Sequence, residues 1–401
     1  MRMDRDFIRS PCTWSKLRYR LGHSYLILPS GMHIRESGTN LMRPVLHTAP
    51  EKAAFVLPVK GETSTLAGWV EAVEADPVAR AIIESKPFQR LRSISFLGAL
   101  DHVATTASLK KAPRTRANHS LHVAALAAFV AHRRGYDDDL ARHLRTAGLL
   151  HDIGHPPLSH SVEPYLQKRF GYGHHEMGEM LIAGQRPIAI GLQKTLAKTL
   201  DITFVTDLIA GRVGASEGGD LFSSPINIDT IEGIIRSYRY LRDTPTALNP
   251  LQVAEASLVD RSESRFKVLD RFWELKDFIY NRLITQDIGL IADQYSQLYF
   301  AEGSQPLGED ELFDTEAQWQ RRHPQLFSDL ISINSVRDTP AALESATLQY
   351  SVRRYEIVAG SLDVQRYRCT KEPTQRTLAA TRHGASQENV QLGLDFKVQW
   401  N

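Results

Sequence analysis

Cysteine is scarce in this sequence of 401 residues: there are only two, Cys12 and Cys369, far apart along the chain. With no CxxC pair, the sequence indicates neither a disulfide framework nor a cysteine zinc site, and a reducing setting is expected. Long apolar runs are also missing, and Tyr25–Leu28 is too short for a signal sequence or a membrane span. We therefore expect a cytoplasmic protein with no membrane partner.

The sequence also lacks a large excess of charge of either sign. Lys and Arg number 48 against 46 for Asp and Glu, which gives a formal net charge of +2. No general argument for nucleic-acid or membrane binding follows, so local clusters must carry any such case. The hydrophobic share of 42% is ordinary for a globular protein and supplies a sizeable core.

The spacing of apolar residues divides the chain into three parts. Residues 1–55 lack clear periodicity and are predicted to form an N-terminal extension, whereas residues 56–300 show helical spacing. Residues 301–401 include β-prone runs. We predict a mainly α fold with a helical core and a smaller mixed α/β C-terminal region. The predicted helices cover 75–91 (interrupted by Pro87), 119–133, 140–153, 174–182, 229–241 and a long pattern over 266–300. The β-prone runs cover 348–352, 354–358 and 364–369.

Histidine, by contrast, is plentiful, with 15 in the chain and many between His119 and His175. For His132 and His143, which lie beside or near arginines, an ordinary core or surface role is expected. The segment HDIGHPPLSHSVE at 151–163 is different, because an apolar helix delivers an adjacent imidazole and carboxylate into a buried place. A divalent cation offsets the free-energy cost of burying that pair, and both groups are good ligands for borderline metals.

Adjacent ligands on one helix reach only one edge of an ion, so further ligands must come from elsewhere in the chain. His119 lies near the start of a preceding helix, and Asp229 begins a later one within an apolar frame. His122, one helical turn beyond His119, is the rival first ligand. Two histidines and two aspartates leave room for water and a substrate oxygen, as a catalytic metal site requires.

From about Phe55 to Phe300 the chain resembles the HD-superfamily phosphohydrolases, in the branch that contains the deoxynucleoside triphosphate triphosphohydrolases. The motifs that carry the resemblance are PVKG at 58–61, PFQRLR at 87–92, LG at 97–98, TRANHSL at 115–121, HDIGHPPLSH at 151–160 with Glu163, HE at 175–176 and SSPINID at 223–229. The resemblance implies an HD-domain helical core. It also implies one divalent ion held by His119, His151, Asp152 and Asp229, and favours His119 over His122. These ligands suit Mn, Mg, Fe, Co or Zn.

The resemblance also implies roles around the ion. Arg116 is expected to contact phosphate and His155 to face the reacting phosphate. His160 with Glu163 is expected to transfer protons, since a carboxylate fixes the tautomer of its histidine. His175 is also expected to be catalytic, and the residues expected to bind substrate are Arg116, Glu176, Arg236, Tyr280 and Arg282. Without the motif, Glu163 and Glu176 would be interpreted as surface carboxylates.

The chain departs from the branch pattern Asp-x-x-Asp-Tyr-x-x-Arg-Asp that follows the last metal ligand. Arg236 is kept, but Gly233 replaces the tyrosine and Ser237 the final aspartate, and Asn118 replaces the acid before the metal histidine. Loss of an aromatic platform alters substrate fit without touching the metal. Phosphoester hydrolysis is therefore better supported by the sequence than the choice of nucleotide.

These features lead to three functional hypotheses. The first is a deoxynucleoside triphosphate triphosphohydrolase that releases deoxynucleoside and intact triphosphate. The second keeps the site but acts on nucleoside monophosphates, cyclic or signalling nucleotides, or single-stranded nucleic acid. The third is a non-catalytic nucleotide sensor. A nucleotide substrate is the expected partner, a nucleotide effector and single-stranded nucleic acid stay open, and the resemblance implies a homo-oligomer.

Overall fold

A computed structural model describes residues 55–58, 65–103, 114–241, 248–303, 306–343, 347–361 and 364–377. Apart from Phe55, the predicted N-terminal extension lies outside these residues. All of the described residues belong to one compact unit. Within them, no helix combines the length and the apolar character needed to cross a bilayer.

The described residues are mainly helical, with a single hairpin near the C-terminal end. The first helices are α1 (Leu66–Ala75), α2 (Pro77–Ile83), α3 (Lys86–Leu91), α4 (Arg116–Arg134), α5 (Asp138–Leu150), α6 (Glu163–Phe170), α7 (His174–Ile182) and α8 (Ile190–Leu196). The later helices are α9 (Ile202–Ile209), α10 (Asp220–Ser223), α11 (Ile228–Leu241), α12 (Pro250–Ala254), α13 (Phe266–Ile279), α14 (Asp287–Glu302), α15 (Glu316–Arg322) and α16 (Pro324–Ser332). The strands are β1 (Thr347–Ile357) and β2 (Tyr367–Thr377). The predicted mainly α fold with a smaller mixed C-terminal region is confirmed.

Capping residues fix where the central helices begin and end. The hydroxyl of Thr115 accepts a hydrogen bond from the Asn118 amide and starts α4, three residues before the predicted start. Gly135 ends α4 in the left-handed conformation, at φ 66°. Asp137 then caps α5 by accepting from the Leu140 amide at 2.8 Å. The short link between these caps places α4 and α5 side by side.

Two of the predicted helical stretches are interrupted. The stretch over 75–91 becomes α2 and α3, with Pro87 in the first turn of α3, where its missing N–H costs no helical hydrogen bond. The stretch over 266–300 becomes α13 and α14, with a π-helical turn at Tyr280–Ile284 between them. The sequence therefore predicted an interruption in the first stretch, although the break lies at 84–85 rather than at Pro87, and it did not predict the break in the second stretch.

Glycine allows α4 and α5 to approach each other closely. A Cβ atom at Gly148 of α5 would lie 2.8 Å from the Cα of Ala124 of α4, nearer than real Cβ contacts come. The facing side of α4 is rich in buried alanines, which suits the same close approach. The contact sets the distance between α4, which carries His119, and the end of α5, where His151 follows.

A second close approach holds the loop after α5 against α7. A Cβ at Gly154 would collide with the His174 carbonyl oxygen and would lie 2.8 Å from the Cα of Gly178. Glycine at 154 therefore lets the 151–160 loop lie directly on the start of α7. Farther along this loop, Leu158 and Ser159 both have positive φ, at 61° and 49°.

The hairpin pairs β1 with β2 in antiparallel register, with Tyr355 opposite Cys369. Tyr355 and Tyr367 pack against Trp273 of α13, with ring centroids 5.3 and 5.2 Å away. The β-prone run predicted over 364–369 begins as a 3₁₀ turn at Val364–Arg366, so its strand starts only at Tyr367.

Candidate metal centre

The four predicted metal ligands lie in three separate segments, and the structure brings them together. The Nε2 atoms of His119 and His151 are 3.2 Å apart, and Asp229 Oδ1 lies 3.0 Å from Nε2 of His119. Asp152 places one carboxylate oxygen 3.5 Å from His151 Nε2 and the other 3.7 Å from His119 Nε2. Ligand atoms bound about 2.0–2.2 Å from one ion lie roughly 3–4 Å from one another, so the spacing fits a single divalent cation.

The hydrogen bonds behind the two imidazoles favour metal binding. His151 Nδ1 lies 2.9 Å from the Gly148 carbonyl oxygen, which can only accept, so Nδ1 carries the proton. His119 Nδ1 lies 2.5 Å from a carboxylate oxygen of Glu232 and donates in the same way. In the neutral imidazoles the two Nε2 lone pairs therefore face each other. A cation between them relieves that repulsion, and the donor set fits the divalent ion that the sequence predicts.

The electrostatics of the cluster favour positive charge. Burial lowers the pKa of His151, but the carboxylates of Asp152 and Asp229 outweigh burial and raise it to about 9. Burial raises the pKa of Asp152, yet His151 and Arg116 hold it well below its usual range. Asp152 is buried, whereas the Asp229 side chain is 52% exposed and leaves this side of the cluster open.

Glu232, one turn after Asp229 on α11, is a site residue that sequence reasoning missed. It is buried and accepts from His119 Nδ1 on one side and from the Arg236 guanidinium on the other. Burial raises the pKa of Glu232, but the lowering by Arg236 and His119 is larger than this rise. The net pKa is below its usual value, so the group is ionised. Arg236, predicted to bind substrate, is placed by the structure behind His119. The sequence did contain a signal for Glu232, because a residue three positions after the predicted ligand Asp229 lies on the same face of a helix.

Arg116, predicted to contact phosphate, is buried against the cluster. Its Nη1 donates to Asp152 Oδ2 at 2.8 Å, its Nη2 to the Phe96 carbonyl at 2.8 Å and its Nε to Ser159 Oγ at 3.2 Å. These contacts make Arg116 the group that fixes the orientation of the Asp152 carboxylate.

Beside the metal ligands, Glu163 joins two histidines. Its Oε2 accepts from Nδ1 of His160 at 2.9 Å, and its Oε1 accepts from Nδ1 of His174 at 2.5 Å. The His160 side chain is 58% exposed, whereas His174 is buried. The sequence predicted the His160–Glu163 pair but did not single out His174. With one carboxylate oxygen on each ring, Glu163 fixes the orientation of both.

His155 lies between this triad and the metal ligands. Its ring stacks on His174 with centroids 4.0 Å apart, and its Nε2 is 3.2 Å from Asp152 Oδ1 without hydrogen-bond alignment. Burial, together with Arg116, lowers the pKa of His155 well below its usual range. Burial likewise lowers the pKa of His174 to about 4, against the opposing pull of Glu163. Both rings are therefore uncharged at neutral pH.

The other predicted pocket residues are placed less centrally. His175 is exposed and lines a small cavity that His151 also lines, whereas Glu176 accepts from the Gly173 amide and caps α7. Tyr280 packs on Tyr355, and Arg282 is exposed on the same π-helical turn. In the part of the chain that the structure describes, neither Tyr280 nor Arg282 makes a hydrogen bond or ion pair with a predicted metal ligand.

The rival first ligand, His122, is directed elsewhere. Its Nδ1 bonds the Asn118 carbonyl oxygen at 2.8 Å, one turn back along α4. Among the described residues, the group whose ligand atoms converge contains His119, His151 and Asp152, and His122 is outside it. A second convergent group consists of His155, His160 and His174.

Comparison with known proteins bears on this geometry. Residues 116–196 match the family model for the HD domain, a segment that holds His119, His151 and Asp152. The chain thus contains an HD domain at residues 116–196. The HD-domain core expected from the sequence is thus confirmed for this segment, and the fourth predicted ligand, Asp229, lies beyond it on α11.

Several curated relatives match part of the chain. An uncharacterized protein of Methanocaldococcus jannaschii is 32% identical over 166 residues, which are 41% of this chain and 34% of the relative. The deoxynucleoside triphosphate triphosphohydrolase SAMHD1 of Xenopus laevis is 29% identical over 171 residues, 38% of this chain and 26% of the relative. A deoxyguanosinetriphosphate triphosphohydrolase-like protein of a Caulobacter species is 51% identical over 61 residues, 14% of this chain and 15% of the relative. The chain thus spans about a third or less of each of these relatives.

Proposed function

We propose that this chain is a metal-dependent phosphohydrolase of nucleotides that converts a deoxynucleoside triphosphate and water into a deoxynucleoside and triphosphate. The observation that carries the proposal is the 3.2 Å approach of the His119 and His151 Nε2 atoms beside two carboxylates. The names of the Xenopus and Caulobacter relatives support the class of substrate. The open side at Asp229 leaves space for a phosphate to reach the centre.

His119, His151, Asp152 and Asp229 would hold one divalent ion, whose identity the ligands leave open among Mn, Mg, Fe, Co and Zn. When bound, the ion would supply Lewis-acid polarisation of a phosphoryl oxygen. Glu232 holds His119 in the tautomer that presents Nε2, and Gly148 does the same for His151. Arg116 orients Asp152, so the phosphate contact predicted for Arg116 stays a prediction.

His160 is the residue best placed to move a proton. Glu163 holds Nδ1 of this 58% exposed side chain, which leaves Nε2 to take up or release a proton. His174 binds the second carboxylate oxygen of Glu163 and keeps it turned toward His160. This arrangement supports His160 as the group that assists the attacking water or the leaving oxygen, with Glu163 fixing its tautomer.

A second substrate class is favoured by Gly233. A Cβ at this position would lie 3.8 Å from Cε1 of His119 and 3.6 Å from the Phe96 ring, in open van der Waals contact. The position that carries tyrosine in the triphosphohydrolase branch is therefore beside the metal ligands but bears no side chain here. The missing ring keeps a second substrate class in view, namely nucleoside monophosphates, cyclic or signalling nucleotides, or single-stranded nucleic acid.

The test is a turnover assay with a matched pair of variants. Full-length protein loaded with Mn²⁺ would be incubated with dNTPs, NTPs, monophosphates, cyclic nucleotides and a short single-stranded oligonucleotide, and products would be separated by ion exchange. Asp152→Ala removes a ligand, whereas His122→Ala removes an imidazole one turn from His119 that lies outside the cluster. We expect deoxynucleoside and triphosphate from the wild type and His122→Ala, and neither product from Asp152→Ala.

Each other outcome would favour a different hypothesis. Inorganic phosphate or cleaved oligonucleotide, lost in Asp152→Ala, would favour the second substrate class. The sensor hypothesis would be favoured if the protein bound nucleotides but turned none of them over. This result would have to hold with every metal tested and with nucleotide mixtures that act as effectors. A homo-oligomeric assembly, a cytoplasmic location and the division of the chain near residues 55 and 300 are further parts of this proposal.

A further inference from the structure

Glu316, at the start of α15, is a buried carboxylate surrounded by donors. Its Oε1 accepts from the Ser95 amide at 2.8 Å and from the Leu158 amide at 3.3 Å. Its Oε2 accepts from Ser95 Oγ at 2.6 Å and lies 3.1 Å from His102 Nε2. Burial raises the pKa of Glu316, but the hydrogen bonds from His102 and Ser95 lower it more, so the group is an anion. An anion with this many donors holds its neighbours in place.

The backbone that Glu316 holds is strained. Leu158 and Ser159 have φ of 61° and 49°, a region that non-glycine residues rarely occupy. Such a conformation persists only where surrounding contacts hold it. Glu316 binds the amide of Leu158, and Ser159 Oγ donates to the Ser95 carbonyl at 2.8 Å. Leu158 is therefore held by Glu316 itself, and Ser159 is held by Ser95, which Glu316 also contacts.

The same turn positions the guanidinium that orients Asp152. Arg116 donates from Nε to Ser159 Oγ, from Nη2 to the Phe96 carbonyl and from Nη1 to Asp152 Oδ2. Ser159 follows Leu158, and Phe96 follows Ser95, which are the two residues whose amides bind Glu316. A displacement of the Glu316 carboxylate would therefore move both anchors of Arg116.

We propose that Glu316 is a positioning residue of the metal centre, acting through Ser95, Ser159 and Arg116 on the carboxylate of Asp152. The inference rests on the proposed metal site. It assigns a part in that site to α15, which lies more than a hundred residues beyond the matched HD-domain segment 116–196. The C-terminal helical region would thus help to set metal affinity without contributing a ligand.

The test measures metal affinity directly. Mn²⁺ would be titrated into the full-length chain, and free Mn²⁺ would be followed by electron paramagnetic resonance, for the wild type and Glu316→Gln. Loss of a partner that contacts a metal ligand directly weakens metal affinity by about 10- to 100-fold. Glu316 acts on Asp152 through Arg116, so we expect a rise in the Mn²⁺ Kd at the lower end of that range, about 10-fold. Asp76→Asn is the matched control, because Asp76 is also a buried carboxylate but caps α2 and pairs with Arg145 instead. We expect a lower Tm and an unchanged Kd for this control.

Ser95→Ala is the gentler second variant, since it keeps Glu316 and removes only the Oγ donor. We expect a smaller rise in Kd, in the same direction, and Ser95→Ala decides the matter if Glu316→Gln does not fold. A wild-type Kd in Glu316→Gln, or an equal loss in Asp76→Asn, would overturn the positioning role while leaving the metal site intact. Absence of Mn²⁺ binding to the wild type would instead overturn the metal site itself, and this inference with it.

Discussion

His119 Nδ1 lies 2.5 Å from Oε2 of Glu232, and the far side of the same carboxylate is held by Arg236. Arg236, Glu232 and His119 form a buried chain of hydrogen bonds behind the metal ligands. A change of charge at Arg236 or Glu232 therefore alters how strongly the His119 imidazole is held. Glu232 both holds the Nδ1 proton and makes the His119 ring a better electron donor at Nε2.

Replacing Glu232 with Gln should therefore weaken metal binding. The amide would hold His119 less strongly and would remove the buried ion pair between Glu232 and Arg236, so we expect a rise of about 10- to 100-fold in the Mn²⁺ Kd. Isothermal titration calorimetry on the two proteins measures this. Glu255→Gln, which breaks the surface pair with Arg133, is the control. Equal Mn²⁺ affinity in wild type and Glu232→Gln would show that the pair has no influence on the ligand.

Gly148→Ala should destabilise the fold. Its Cβ would lie 2.8 Å from the Ala124 Cα, and the backbone of α4 cannot move aside as a flexible side chain would. Such overpacking costs about 1–3 kcal/mol of unfolding free energy. The control is Gly191→Ala on α8, where no atom lies within 4 Å of the added Cβ. There the better helix propensity should raise stability by up to about 1 kcal/mol. Urea unfolding of both variants measures the difference, and similar midpoints for the two would contradict the close approach.

His174 should make the metal-free protein less stable as the pH falls. Its folded-state pKa of about 4 is below the ordinary 6.5, so between these values the unfolded chain binds the extra proton. The contribution of His174 to the free energy of unfolding is therefore fully present above pH 6.5 and is lost toward pH 4, by up to about 1.4 kcal/mol per pH unit for one proton. His155, whose pKa is also lowered, acts in the same direction.

The check is urea unfolding in chelator at pH 7, 6 and 5. Above about pH 4.5 the protonation of Glu163 adds little, because its folded-state pKa is lowered rather than raised. In the variant His174→Gln, the free energy of unfolding should fall less steeply across this range, by up to about 1.4 kcal/mol per pH unit, the slope that one proton produces. An identical pH dependence in wild type and variant would rule out the uncharged, buried state of this ring.

Gly233→Ala should be tolerated and should leave metal binding unchanged. The new Cβ would make ordinary contacts with Phe96 and His119, and alanine within α11 should raise stability by up to about 1 kcal/mol. Differential scanning calorimetry and Mn²⁺ titration give the two readouts. A lower Tm, or a loss of Mn²⁺ affinity, would mean that the space beside His119 is filled more tightly than the distances indicate.

The helical regions and the convergent ligands could be predicted from the sequence because short, continuous stretches of chain indicate them. The HDIGHPPLSH segment and the TRANHS motif each contain both the residue types and their spacing, and the structure brings their histidines together. The roles of these residues stay predictions. The break at Tyr280–Ile284 was missed because a single π-helical turn of five residues is too short to change the apolar spacing of the whole 266–300 stretch recognisably.

Other site residues could not be found from local patterns. His174 and His175 are adjacent, and only the start of α7 at the Gly173 cap decides which ring turns toward Glu163. Glu316 binds Ser95 across a separation of 221 residues, and a charged residue at a helix start resembles an ordinary capping residue. Contacts of this kind depend on tertiary packing, which periodicity does not report.

The predicted ligands are joined across long stretches of chain: His119 and His151 are 32 residues apart, and His119 and Asp229 are 110 apart. An ion bound there would act as a cross-link between distant parts of the chain. The complete set of ligands exists only after α4, α5 and α11 have come together. Metal capture would thus report completed folding. Excess metal would therefore raise the melting temperature by mass action, because it would bind only the folded chain in which these segments meet.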